Sequence, residues 1–128
     1  MKWAYEAAYI TAGTSIGADG TVYLPTVDGL HAVHPLGTRR WFAGTAQALR
    51  DRPAVWGDGT IYVNGDYQDV YAFNADGTLK WLYQVPGTNP AGAAIGPDDR
   101  LYLGTGASGG SFSYLYAFGT PLAGSDPR

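Results

Sequence analysis

Short runs of β-branched and aromatic residues, cut by Asp-Gly turns, recur along the chain: Thr21-Val22-Tyr23-Leu24, Thr60-Ile61-Tyr62-Val63 and Val70-Tyr71-Ala72-Phe73. Residues of these types suit a pleated, half-buried surface, and their bounded runs predict short strands. Asp19-Gly20, Asp58-Gly59 and Asp76-Gly77 supply the turns, because glycine accepts positive φ at little cost. Sustained apolar spacing at three and four residues is missing, apart from a weak stretch near 45–51. The pattern predicts an all-β chain.

The pattern also repeats. Trp3, Trp41 and Trp81 are 38 and 40 residues apart, and each follows a lysine or arginine. Upstream of the last two, GADGTVYL (17–24) and WGDGTIYV (56–63) align with each other and with GPDDRLYL (96–103), which puts Tyr23, Tyr62 and Tyr102 in register. A second block aligns GLHAVHPLGTRRW (29–41), DVYAFNADGTLKW (69–81) and YLYAFGTP (114–121). Four strands per repeat follow. Strand A covers about 14–17, 53–56 and 93–96; strand B carries the tyrosine, strand C carries Ala32, Ala72 or Ala117, and strand D carries the tryptophan. Four-stranded repeats of about 40 residues predict β-propeller blades. A single domain, 1–128, is expected, with repeats at approximately 10–43, 50–85 and 90–120 and with 2–9 as a blade-closing strand D. Recurrence at the blade period gives Trp3, Trp41, Trp81, Tyr23, Tyr62 and Tyr102 structural or assembly roles. Trp56 is aligned with Ile16 and Ile95 and read as inter-blade filling.

The segment AFNADGTLKW (72–81) resembles the tryptophan-docking motif of the pyrroloquinoline-quinone-type β-propellers. AVHPLGTRRW (32–41) departs from it at His34, where that family favours an acidic residue, and the third repeat ends at Ala117-Phe118-Gly119-Thr120 without a tryptophan. The resemblance covers nearly the whole chain. It implies that the tryptophan of strand D packs against the next blade. Quinoprotein dehydrogenases of that family use a vicinal cysteine pair, a calcium site and a catalytic aspartate within a complete ring. This chain has no cysteine, so the resemblance implies a non-catalytic member with no cofactor. It also favours an extracytoplasmic setting, periplasmic or secreted.

Composition narrows the classes further. Nineteen glycines in 128 residues, about twice ordinary usage, suit many tight turns. A net charge of -3 and a pI near 5.0 argue against a nucleic-acid partner, which would call for a basic stripe. Arg39-Arg40 and Arg50-Asp51-Arg52 read as a solvated blade edge. Without cysteine there is no disulfide, thiolate catalysis or cysteine metal site, and no apolar run is long enough for a membrane-spanning helix. No signal-peptide pattern opens the sequence, as would also hold for a mature or excised domain.

Candidate chemistry is thin. Gly104-Thr105-Gly106-Ala107-Ser108-Gly109 has dinucleotide-type glycine spacing, but that fingerprint needs a helix next, and 112–116 continues as a strand. His31 and His34, three apart on a strand, point to opposite faces. The acidic loop 64–69 lacks the further oxygen ligands that calcium wants. Glu6 is the single glutamate, four of the ten aspartates sit in Asp-Gly turns, and no serine, histidine and acid fall into a nucleophile arrangement. The chain is therefore expected not to be an enzyme, with no catalytic, cofactor or metal residues.

Strand parity places the A–B and C–D turns at one end of the sheets, and the B–C loops and D-to-A connections at the other. The B–C spans differ in length (23–32, 62–72 and 102–117), and variable loops on a rigid scaffold are where binding usually resides. Asp28, Arg50, Arg52, Asp66, Tyr67, Asp69, Asn89 and Ser111 are the candidates on that face. Tyr67 at a hairpin tip either stacks on a sugar or side chain or packs on a neighbouring loop. The leading strand D and the trailing A–B–C set together make one blade, about three per chain. Two copies exchanging leading strands would close a six-bladed homodimeric ring. The expected function is a scaffold for protein–protein interaction or ligand recognition. A carbohydrate-binding, lectin-like module and a fragment or subunit of a larger quinoprotein-like enzyme are the alternatives.

Overall fold

A computed structural model of the chain describes residues 2–66 and 69–84 and, beyond them, the backbone of strands 88–95, 101–106 and 114–118. The first sheet joins β1 (Ser15–Ile16), β2 (Val22–Pro25), β3 (Gly29–Val33) and β4 (Arg39–Gly44) in that order. The second repeats it with β5 (Ala54–Val55), β6 (Ile61–Asn64), β7 (Asp69–Phe73) and β8 (Leu79–Gln84). In the third, β10 (Leu101–Gly106) lies between β9 (Thr88–Ile95) and β11 (Tyr114–Phe118). All pairings are antiparallel, and no helix occurs among the described residues.

One expectation changes here. Strand A of the first two sheets is two residues long, because the chain turns at once: Gly17 N donates to Thr21 O, and Trp56 N donates to Thr60 O, both at 2.8 Å. The apolar positions near 45–51 carry the link between two sheets, with Leu49 fully buried and bridged to Gly65.

Register explains the recurring residue types. Tyr23 pairs with Ala32 and Ala32 with Trp41, while Tyr62 pairs with Ala72 and Ala72 with Trp81. Alanine is the small member of each row, so the flanking rings meet across it, with centroids 6.0 Å apart in the first sheet and 5.8 Å in the second. Tyr102 and Ala117 pair in the third sheet at the same register position. The middle strands β3 and β7 are buried along their whole length, whereas the outer β4 and β8 alternate between exposed and half-buried residues.

The main core lies between the first two sheets. Ile61, Val63, Tyr71 and Phe73 pack on Tyr23, Leu30 and Ala32, with Leu49 closing the end and Trp41 the edge. Each large apolar side chain buried this way contributes about 1.5–3 kcal/mol.

Two tryptophans tie neighbouring segments in the same manner. The Trp41 Nε1 donates to Ala75 O at 2.9 Å, and its ring lies on Gly77, where a Cβ would stand 2.6 Å from the indole. The Trp3 Nε1 donates to Pro35 O at 3.0 Å, and its ring lies on Gly37, where a Cβ would stand 2.7 Å away. Both glycines have positive φ, 97° at Gly37 and 92° at Gly77. Only glycine combines that backbone with an open surface for the indole.

Residues 2–9 belong to no named strand. Nevertheless they and their successors contact the first sheet as the β4–β5 link contacts the second. Thr11 N donates to Pro25 O, as Arg50 N donates to Asn64 O, and Val27 N donates to Tyr9 O, as Asp66 N donates to Ala48 O. The Ile10–Thr26 bridge matches Leu49–Gly65. Burial does not match: Ile10 is 50% exposed and Leu49 is 0% exposed.

Candidate functional site

The β4–β5 link runs between two hairpin loops and gathers most of the candidate residues at one end of the sheets. Leu49 N donates to Thr26 O on the β2–β3 loop, and Asp66 N on the β6–β7 loop donates to Ala48 O. Asp28, Arg50, Asp66 and Asp69 therefore lie along this seam. Arg52 follows, with its guanidinium over Gly13, where a Cβ would come within 2.5 Å. Tyr67 and Ser111 lie outside the described residues, as does the Asn89 side chain, although its backbone is part of β9.

These residues differ in what they can offer a partner. The exposed Arg50 forks onto Asp66, with Nε on Oδ1 and Nη2 donating to Oδ2 at 3.0 Å. Such a solvent-facing pair contributes about 0–1 kcal/mol, so it opens easily to a competing ion. Asp28 is exposed, and its Oδ1 accepts from the Thr26 hydroxyl at 2.6 Å. Asp69 is buried instead. Its carboxylate accepts from the Tyr71 hydroxyl at 3.2 Å and from the Gln84 amide at 3.0 Å, which pins β7 to β8. Burial, with the Asp69 charge beside it, pushes the Tyr71 phenol up to about 12. The acidic loop starts from a buried Asn64, whose amide donates to Asp51 at 3.2 Å.

The two histidines are separate. His31 is buried, its Nδ1 2.9 Å from the Tyr5 hydroxyl and its ring 4.6 Å from Phe42. Burial lowers its pKa; the nearby Asp28 opposes this and Arg39 adds to it. His34 sits in the next turn, where its Nδ1 accepts from Leu36 N at 3.0 Å. Among the described residues no three His, Cys, Asp or Glu side chains come together as a metal site requires. The glycine run at 104–109 begins within β10, and the next described element is β11, an antiparallel strand rather than a phosphate-binding helix.

Two hollows lie away from the loop seam. One, of about 310 Å³, flanks the first sheet between the leading segment (Trp3, Tyr5, Ile10) and Val22, Leu24 and Val33. The other, of about 220 Å³, opens between the β1–β2 and β5–β6 turns beside Tyr23, with Asp19 and Asp58 at its rim. Thr21 N donates to Asp19 Oδ1, which, more than any other contact, holds that carboxyl below its usual range.

The strand register also corrects the position of Trp56. Ile16 pairs with Val22 as Val55 pairs with Ile61, and Ile95 pairs with Leu101. Trp56 is thus equivalent to Gly17, not to Ile16, and the shared turn hydrogen bonds agree. The equivalence of Ile16 with Val55, one residue earlier, already follows from the aligned blocks 17–24 and 56–63, which set Gly17 opposite Trp56. The indole of Trp56 meets Tyr62 edge-on at 6.5 Å and packs toward Tyr62, Val70 and Ala72.

This arrangement of antiparallel four-stranded meanders, the first packed face to face on the second, is that of β-propeller blades. Comparison with family models gives no match, and none of the curated proteins compared is similar. Among solved structures, the crystal structure of BamB from Moraxella catarrhalis, a β-propeller, is similar at a TM-score of 0.58 and 18% identity. The similarity covers 93% of this chain and 48% of the BamB chain, so the chain spans about half the length of that neighbour.

Proposed function

We propose that the chain is a non-catalytic propeller scaffold of the pyrroloquinoline-quinone type. Its role would be protein–protein interaction, and two copies would complete one ring. The observation that carries this is the flank of the first blade, which the leading segment rather than a sheet covers, leaving Leu24, His31 and Val33 only 8%, 6% and 2% exposed. Val22, Leu24, His31 and Val33 hold the register positions of Ile61, Val63, Tyr71 and Phe73, which in the second blade are buried against Tyr23, Leu30 and Ala32. On the first blade the corresponding space is a hollow of about 310 Å³, bordered by a 41% exposed Trp3 and a 50% exposed Ile10. On the same face, the buried His31 Nε2 has no hydrogen-bond partner among the described residues.

A docking sheet with a tyrosine and an alanine paired across its middle strands would fit, and the third sheet has that pairing at Tyr102 and Ala117. The third sheet of a second copy is the proposed occupant. The repeated indole-to-carbonyl contacts of Trp3 and Trp41 support the pyrroloquinoline-quinone-type reading. At the loop seam, exposed Asp28, Arg50 and Arg52 would remain available to a further partner.

Light scattering on the purified chain tests the proposal. A species of twice the 13.6 kDa chain mass is expected, and Val22→Glu, which places a charge in the flank, should convert it to a folded monomer. A folded wild-type monomer at all accessible concentrations would sink it.

A further inference from the structure

The hollow beside Tyr23 has an internal counterpart that shows what fits it. In the first blade Gly17 borders the hollow beside Tyr23, which is 4% exposed and whose Cε2 would stand 3.2 Å from a Cβ at Gly17. In the second blade the equivalent residue is Trp56, and its indole lies edge-on against Tyr62, the equivalent of Tyr23. The first position therefore lacks an aromatic ring that the second carries covalently. The walls facing it come from the neighbouring blade, at Val55, Trp56, Gly59 and Ala75.

The mouth of the hollow is acidic. Asp19 and Asp58 are both exposed there, each with Oδ1 engaged by the backbone N–H two residues on, at Thr21 and Thr60. Arg40 approaches Asp19 to 3.5 Å and offsets one of the two charges. Among the described residues, Asp58 has no cation partner of its own.

We propose that this hollow is a binding site for an aromatic side chain on a partner peptide, with a lysine or arginine next to it. The ring would meet the edge of Tyr23 as Trp56 meets Tyr62, and the cation would meet Asp58 at the rim. The site faces the A–B turns, opposite the loop seam, and does not depend on self-association. A charge-assisted contact at the rim would select the flanking residue, and the enclosed ring would supply most of the affinity.

The experiment is an amide-resolved NMR titration of the full chain with three probes: acetyl-Lys-Trp-Lys-amide, acetyl-Lys-Ala-Lys-amide and acetyl-Glu-Trp-Glu-amide. The first should shift the Gly17, Gly57 and Gly59 amides and bind at least about tenfold more tightly than the others. Gly17 has no positive φ, so Gly17→Trp can fill the hollow from within, and it should abolish the shifts while the other blade amides stay in place. Asp58→Asn keeps the acceptor for Thr60 N and should weaken the first probe several-fold without disturbing the fold. Equal binding of the three probes, undiminished binding to a folded Gly17→Trp variant, or unchanged affinity in Asp58→Asn would each overturn the proposal.

Discussion

Replacing Trp41 and Trp3 by alanine, one at a time, isolates what a neighbouring blade adds to a docked indole. The two make the same polar contact, Nε1 to a backbone carbonyl at 2.9 and 3.0 Å, and both lie on a positive-φ glycine. Trp41 also meets Tyr23 at 6.0 Å and Phe73 at 6.5 Å and packs on the main core. Trp3 is 41% exposed. A buried tryptophan truncated to alanine costs about 3–5 kcal/mol; Trp41 is half-buried, so about 3 kcal/mol is expected, including ~1 kcal/mol for the hydrogen bond. Trp3→Ala loses the hydrogen bond and one stacking surface, about 1–1.5 kcal/mol. The gap approaches a thirtyfold difference in the unfolding equilibrium. Urea unfolding followed by far-ultraviolet circular dichroism reads it: with a slope of ~1.5 kcal/mol/M, midpoints should fall by about 2 M and about 1 M respectively. Measured at low concentration, equal losses for the two variants would refute the claim that inter-blade packing, rather than the docking bond, sets the stability. Raising the protein concentration should enlarge the Trp3→Ala penalty if a second copy covers that flank.

Three further outcomes follow from the same contacts. Gly77→Ala forces a side chain onto φ 92° and into the Trp41 ring, so a loss of at least ~2 kcal/mol is expected; Gly57→Ala, with nothing within 4 Å, should stay within ~0.5 kcal/mol by the same urea assay. Asp69→Ala should cost about 2 kcal/mol by stranding the Tyr71 hydroxyl and the Gln84 amide, whereas Arg50→Ala should cost under ~1 kcal/mol; the reverse order would contradict their burial. Because burial lowers the His31 pKa, the unfolded chain takes up the proton first as pH falls, so stability present above the unfolded value of about 6.5 should decline below it. Urea midpoints at pH 7.5 and pH 5.5 should differ less in His31→Gln than in the wild type.

The repeat was legible because its residues are dictated by register. A small residue must stand between two rings on adjacent strands, so Tyr23, Ala32 and Trp41 recur as a row in the second sheet, and Asp-Gly turns mark where each sheet reverses. Strand A was overestimated in the first two sheets, because Gly17 and Trp56 already turn, their N–H groups bonding Thr21 O and Thr60 O. It was underestimated in the third, where β9 runs from Thr88 to Ile95. The Trp56 position was misjudged by one residue, although the aligned blocks 17–24 and 56–63 set Trp56 opposite Gly17. The buried state of Asp69 was hidden too. A carboxylate in an acidic loop looks solvated until the tyrosine and glutamine that satisfy it are brought alongside from Tyr71 and Gln84. The two hollows had no signal in any single repeat; one follows from a glycine where its counterpart is tryptophan, and the other from a flank without a neighbouring sheet.

The acceptors for Trp3 and Trp41 are the carbonyls of Pro35 and Ala75, two residues with nothing chemical in common. Every residue carries that oxygen, so mutation at the acceptor position cannot delete the bond; only a change in the shape of the turn can. The blades can therefore drift far apart in sequence while keeping the same clasp, provided the indole and the glycine two residues past the acceptor survive. A lineage built on such a clasp is free to rewrite nearly all of its surface, which is how one architecture can come to serve unrelated partners without ever being re-engineered at its joints.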